Sequence, residues 1–308
     1  MVDVGVSVHE SVLVPDVAAR RALLDRVAGA GLDHVTVGDH VSFHGGAGFD
    51  GLVAATAALC AHDRLGVLVG VYQLALRHPM VVARQLASVA QLAPGRLVLG
   101  VGAGGEDRAE VANCGVDPAT RGRRLDESLG LLRQLATGAP VDHKGEFFTL
   151  EDAAVVPAPD PAVPLVVGGG SDAALRRAAE RGDGWLGMFC SARRFARSRA
   201  DVIERRAAAG RDGPGWFGLS VWCGLDENGA TARTVLGERM QALYRLPPEK
   251  FANVTAAGTP EQVADWLAPY VEAGAGSISI VPAARSVEAG VELAGEVRRH
   301  LEEKAGIA

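Results

Sequence analysis

Residues 34–43 read HVTVGDHVSF, a β-branched apolar run that stops at Asp39-His40. An imidazole exchanges a proton readily near neutral pH, and a carboxylate beside it can orient it or meet a polar ligand edge. Two glycine-rich turns suggest a second kind of chemistry. GVGAGGED (100–107) lets a flat ring approach the backbone, because glycine puts no Cβ in the way. GGGSDAAL (168–175) leads glycines into a helix start, where free N–H groups and the helix dipole favour a phosphate. Singly, each is an ordinary strand-end pair or tight turn. An Asp-His pair and two such turns on one rim point to a phosphate-bearing cofactor.

Other side chains narrow the chemistry. Cys60, Cys114, Cys190 and Cys223 are widely spaced with no C-x-x-C, which supports neither a disulfide framework nor a zinc ribbon and fits a reducing interior. His34, His62, His143 and His300 lack metal-ligand spacing, so no metal is expected. His78, before Pro79, reads as a capping or packing residue, and His44 as an exposed loop histidine. No nucleophile elbow is present, which argues against covalent hydrolysis. A formal charge of −6 without a basic cluster gives no reason to expect nucleic acid or an anionic membrane as partner. MVDVGVSVHE lacks a basic start and a cleavage site, and no run reaches the roughly 18 apolar residues of a membrane span. The expectation is a soluble, cytoplasmic protein acting on a small-molecule substrate, with a homodimer as its expected assembly.

The elements that must hold these residues recur along the chain. Apolar runs start at Val2, His34, Leu65 and Leu97, spaced 32, 31 and 32 residues apart, and again at Pro164, Asp183, Phe217 and Ser277. Runs with almost no polar alternation suit parallel strands buried on both faces, and the helical stretches between them suit parallel crossovers. Gly31, Gly95, Gly182 and Gly274 stand where a helix gives way to a strand and are expected to be left-handed caps. Thr259-Pro260-Glu261-Gln262 reads as a helix start. Leu125, Leu129, Leu132 and Leu135 share a helical face and read as core. Eight such units describe an α/β fold, the (β/α)8 TIM barrel, as one domain over 1–308 with insertions at about 137–163 and 226–258. A doubly wound open sheet is the alternative; no G-x-G-x-x-G opens a first helix. In the barrel, Asp39-His40 falls at the C-terminal end of the second strand, where active sites are built. His9, Glu10 and Ser11 reach the same mouth from the first strand, and Trp222 from the seventh.

The segments GLDHVTVGDH (31–40), VYQLALRHPMVVARQLASVAQLAPGRLVLGVGAG (71–104), GVDPATRGRRLDESLGLLRQLATGAPVDHKGEFF (115–148), PLVVGGGSDAALRRAAERGDGW (164–185) and GTPEQVADWLAPYVEAGAGSISIVP (258–282) span most of the chain. In that order they resemble the luciferase-like monooxygenase superfamily, and within it the coenzyme F420-dependent oxidoreductases. The resemblance implies a deazaflavin ring at the barrel mouth and a bulged third strand with a non-prolyl cis peptide, at Gly70-Val71, backing the ring. It also implies a proton-transfer role for His40 and a ring contact for Asp39. Ala103 and Gly104 would lie beside the ring, and Gly168, Gly169, Gly170 and Ser171 would cradle the phosphate. Two departures stand out. The sugar-phosphate dehydrogenases of this branch carry a glutamate where this chain has Gly105, with Glu106 one place later, and a lysine near Ser191.

The expected activity is hydride transfer between coenzyme F420 and a small organic substrate. The alternatives are an FMN-dependent monooxygenase using reduced flavin and oxygen, and a barrel that binds deazaflavin without catalysis.

Overall fold

All eight apolar runs are strands in the computed structural model, which describes residues 2–104, 107–304 and 306. In chain order they are β1 (Asp3–Ser7), β2 (His34–Val37), β3 (Gly66–Tyr72), β4 (Leu97–Val101), β5 (Leu165–Gly168), β6 (Gly184–Met188), β7 (Trp216–Leu225) and β8 (Ser277–Ala283). Each pairs in parallel with the next. The ring closes where β8 pairs with β1, from Asp3↔Ser277 to Val6↔Ile280. Closure leaves none of these strands at an edge, so the barrel reading holds over the open sheet.

Outer helices follow the strands: α1 (Val17–Gly29), α2 (Gly51–Ala61), α3 (Pro79–Leu92), α4 (Arg108–Asn113), α5 (Arg121–Leu135), α6 (Asp172–Glu180), α7 (Ala192–Ala208), α8 (Gly229–Tyr244), α9 (Pro260–Glu272) and α10 (Val287–Lys304). Their starts are written locally. Asp16, Asp50, Ser171, Ser191 and Asn228 each accept a hydrogen bond from the first turn, a contact worth about 1 kcal/mol. Thr259 and Gln262 form a full capping box behind Pro260, as the sequence implies. His78 caps α3 by accepting from the Met80 N–H. Helix ends follow the expectation with one correction. Gly31, Gly95 and Gly274 have φ of 83°, 71° and 90°, but Gly182 is not left-handed. Glycine is required there for space, since a Cβ would meet Val167 Cγ2 at 3.0 Å and the Ala178 backbone at 3.2 Å.

The main core lies between barrel and helices, where Val4, Val6, Val35, Val37, Ile278 and Ile280 face outward onto the helical layer. Leu125, Leu129, Leu132 and Leu135 of α5 are buried in it; truncating one to alanine would cost about 2–5 kcal/mol. The alternate strand residues face the lumen. Its β3–β6 side is apolar, with Leu68, Val166 and Leu186. Its β1–β2–β8 side is hydroxylic: Ser279 Oγ lies 2.7 Å from Thr36 Oγ1 and 2.9 Å from His34 Nε2. These bonds join β8 to β2 across β1. They pass over Gly5, where a Cβ would lie 2.3 Å from the His34 ring.

Two further segments lie outside the eight-stranded frame. Strands Val141–Lys144 and Thr149–Ala153 form an antiparallel hairpin within 137–163. Glu127 of α5 holds it by accepting from the Phe147 and Phe148 N–H groups and pairing with His143 at 3.0 Å. The 226–258 insertion contains α8 and a short strand, Ala256–Gly258, that extends the sheet beyond β7. Among the described residues no helix is long and apolar enough to cross a membrane.

Candidate active site

β2 ends at Val37, and the chain turns at Gly38-Asp39 into a hairpin of His40–Phe43 against Ala47–Phe49. Because the strand has stopped, Asp39 and His40 go different ways. Asp39 turns inward, with no side-chain exposure. Its Oδ2 accepts from Arg77 Nη1 at 2.7 Å and the Gln73 N–H at 2.8 Å; its Oδ1 accepts from Arg77 Nη2 at 2.8 Å and the Gly51 N–H at 2.9 Å. Burial pushes the Asp39 carboxyl up, and the guanidinium with the two N–H donors counters that rise. The carboxylate thus clamps the end of β3 and the start of α2 to one point. Arg77 also reaches Asp50, the cap of α2, and lies 4.1 Å over the Tyr72 ring.

His40 remains at the mouth, its side chain 37% exposed. Nδ1 lies 3.1 Å from Glu110 Oε2 and 3.2 Å from Gln73 Nε2. Gln73 Nε2 is a donor, so the proton on Nδ1 is directed to Glu110, and in the neutral ring Nε2 carries the lone pair. Glu110, only 2% exposed, also accepts from the Val41 and Ser42 N–H groups at 2.6 and 3.0 Å. Burial alone would raise the Glu110 carboxyl. The Ser42 N–H, the Gln73 amide and the His40 ring outweigh burial and hold it below the usual carboxylate range. An ionised carboxylate behind an imidazole stabilises the protonated ring, which is what a residue that picks up a proton in mid-reaction needs.

Opposite this network lies an apolar shelf. β3 is bulged between Val69 and Tyr72, and its Gly70–Val71 peptide is cis. Val71 lies over Gly100, Gly102 and Gly168, where added Cβ atoms would meet its side chain at 3.3, 2.7 and 2.7 Å. The next turn carries Ala103 and Gly104; a Cβ on Gly104 would stand 2.7 Å from Gln73 Oε1. That oxygen is buried with no hydrogen-bond partner among the described residues. After β5, Gly169 is left-handed, Gly170 has open space where a Cβ would be, and Ser171 caps α6. The loop is pinned from outside: Trp185 Nε1 donates to Gly169 O and Arg194 Nη2 to Gly170 O, each at 2.8 Å.

The fold thus brings Asp39, His40, Gly70, Val71, Ala103, Gly104 and Gly168–Ser171 to the C-terminal ends of their strands, with one difference in aim. Asp39 was expected to touch a ring; its carboxylate is fully engaged within the protein, and beside the shelf Gln73 Oε1 is buried without a partner among the described residues. Gly105 and Glu106 lie outside the described residues. Ser191 caps α7, and Arg193 and Arg194 belong to that helix. His9 hydrogen-bonds Ser7 Oγ through Nε2 at 3.0 Å beside Gly38. His44 is exposed and stacks on Phe43 at 4.0 Å. Glu110, Gln73 and Arg77 escaped the sequence reading as site residues. Asp107-Arg108-Ala109-Glu110 has the spacing of a capping box, which would turn Glu110 back on its own helix. Asp107 does cap α4, but Glu110 reaches the hairpin instead.

The chain belongs to the luciferase-like monooxygenase family, whose model matches residues 2–246. An uncharacterized protein of Mycobacterium tuberculosis is 38% identical over 163 residues, 53% of this chain and 55% of its own length; the chain spans about half of that relative. An F420-dependent glucose-6-phosphate dehydrogenase of Rhodococcus hoagii is 29% identical over 275 residues, covering 79% of this chain and 81% of that protein. The fold is similar to that of an F420-dependent secondary alcohol dehydrogenase solved with an F420-acetone adduct. The TM-score is 0.84, with 20% identity over 97% of this chain and 99% of the other.

Proposed function

We propose that this chain is an oxidoreductase that moves a hydride between coenzyme F420 and a small organic substrate, with His40 handling the proton. The observation that carries the proposal is the His40–Glu110 contact at the edge of the Val71 shelf. The F420-dependent names of similar proteins support the choice of cofactor. When bound, the coenzyme supplies a ring carbon that takes or gives hydride.

The residues present fit such a group. Val71, with Ala103 and Gly104, offers a flat apolar surface. Gln73 Oε1, without a partner among the described residues, can accept from a ring N–H. Gly168, Gly169, Gly170 and Ser171 leave the start of α6 open to a phosphate. Asp39 acts at one remove, as a positioning residue that fixes Gln73 through its N–H and holds the turn bearing His40. His40 Nε2 takes the hydroxyl proton of an alcohol being oxidised, or returns one to a C=C or C=N bond being reduced. Glu110 steadies the imidazolium meanwhile.

The family's monooxygenase description supports a second reading, in which FMN replaces the deazaflavin and oxygen is consumed. A binder without turnover is the third, and the buried carboxylate committed to His40 weighs against it. Titrating the purified protein with F420 and with FMN, following the fluorescence of each, separates the first two. Saturable F420 binding is expected. A yellow FMN complex that takes up oxygen, with F420 left unbound, overturns the proposal.

A further inference from the structure

The mouth has a third face, which neither the proton network nor the glycine turns occupy. Ser279 faces the lumen, because its hydroxyl bonds β2 over Gly5. Side chains alternate along a strand, so Val281 faces the lumen one level nearer the mouth, and its register partner Trp222 on β7 does the same. Met188 ends β6, and Phe189 follows it with a left-handed φ of 50°. The inserted helix α8 closes over them. Trp222 Nε1 donates to Tyr244 Oη at 3.3 Å. The Tyr244 ring meets Phe189 edge-on at 5.5 Å and Phe251 at 5.4 Å. This cluster is separate from the main core. Trp222 is 6% exposed, whereas Met188, Phe189 and Tyr244 are only half-buried and leave apolar surface at the rim.

The ends of β7 and β8 carry an ion pair closed on itself. Arg285, just after β8, grips Asp226 after β7 with two bonds of 2.8 and 3.0 Å. That contact holds the Asp226 carboxyl below the usual range. A phosphate arriving here would meet a neutral pair beside aromatic rings. The relatives named for glucose 6-phosphate act on a dianion; this wall does not suit one.

We infer that the β6–β8 face and α8 form the substrate recess, and that it takes an uncharged molecule with an apolar ring, seated against Trp222 and Tyr244. This rests on the oxidoreductase reading for which bond reacts, but on its own residues for what binds. The experiment measures binding of cyclohexanone, 2-decalone and glucose 6-phosphate by ligand-observed NMR, with and without F420, in wild type, Trp222→Ala and Tyr244→Ala. Both ketones bind, the bicyclic one tighter, and glucose 6-phosphate does not. Trp222→Ala weakens 2-decalone about thirtyfold, the scale of losing a buried aromatic anchor, while F420 titrates as in wild type. Tyr244→Ala, at a helix end, weakens it in the same direction and serves if Trp222→Ala does not fold. Tighter binding of glucose 6-phosphate, or unchanged ketone affinity in both variants, overturns the inference. Ketone binding with F420 excluded would overturn the cofactor reading and leave the recess standing.

Discussion

His34 and His40 bracket one short strand, at the base and the mouth of the same lumen, and their surroundings make them different groups. His34 is enclosed, and the partner of its Nε2 is the Ser279 hydroxyl at 2.9 Å. Burial pulls its imidazole down to about 4, so it stays neutral. His40, six residues on, is about a third exposed and backed by an ionised carboxylate that three protein groups hold in place. The contrast teaches that a proton carrier needs a charged partner on one nitrogen and an open path to the other. A position on a conspicuous strand supplies neither.

Four substitutions can break or sharpen this contrast. His40→Ala should lower turnover by about 10²–10⁴-fold, the usual share of general acid–base catalysis, with F420 affinity and melting little changed. Equal losses of turnover in His40→Ala and His34→Asn would erase the distinction. Asp39→Asn removes the buried charge facing Arg77 and leaves it only the more exposed Asp50, and urea unfolding should show a loss of roughly 3 kcal/mol. Wild-type stability there would mean that the clamp does not hold the mouth.

His34 gives a pH signature with a definite sign. Its folded pKa is depressed, so its contribution is full above the unfolded value of about 6.5 and is lost as pH falls toward about 4. Across that window wild type should lose up to roughly 3 kcal/mol through this group. His34→Asn, though less stable at neutral pH, should show a flatter profile; an unchanged slope assigns the proton uptake elsewhere. The smallest effect belongs to Glu110→Gln, expected to lower turnover about tenfold, less than loss of the imidazole itself. Glu110 is depressed as well, so the melting gap between wild type and this variant should be widest above the ordinary glutamate pKa and should close in acid. A gap independent of pH would show that the charge is not what matters.

Much of the frame was legible along the chain because its signals are local. Unalternating β-branched runs announced strands covered on both faces, and Thr259 with Gln262 announced a helix start. Gly31, Gly95 and Gly274 marked left-handed ends. Gly182 looked the same and was not, because glycine serves backbone freedom and close packing alike, and only its neighbours Val167 and Ala178 tell which. Glu110 was hidden for a related reason: its spacing from Asp107 satisfies a local rule, while its partners lie about 70 positions earlier.

The order of residues by itself determined that this chain closes eight strands into a barrel and carries His40 and two glycine turns to one rim. Those outcomes follow from hydrophobic period, capping chemistry and the one-way course of parallel strands. Tertiary structure alone decided which face each rim residue shows. It turned Asp39 inward onto Arg77, placed Glu110 behind His40, left Gln73 Oε1 without a partner among the described residues and folded α8 over Trp222. Each is a contact between segments far apart in sequence, chosen by burial and charge balance in three dimensions, and no local pattern encodes it.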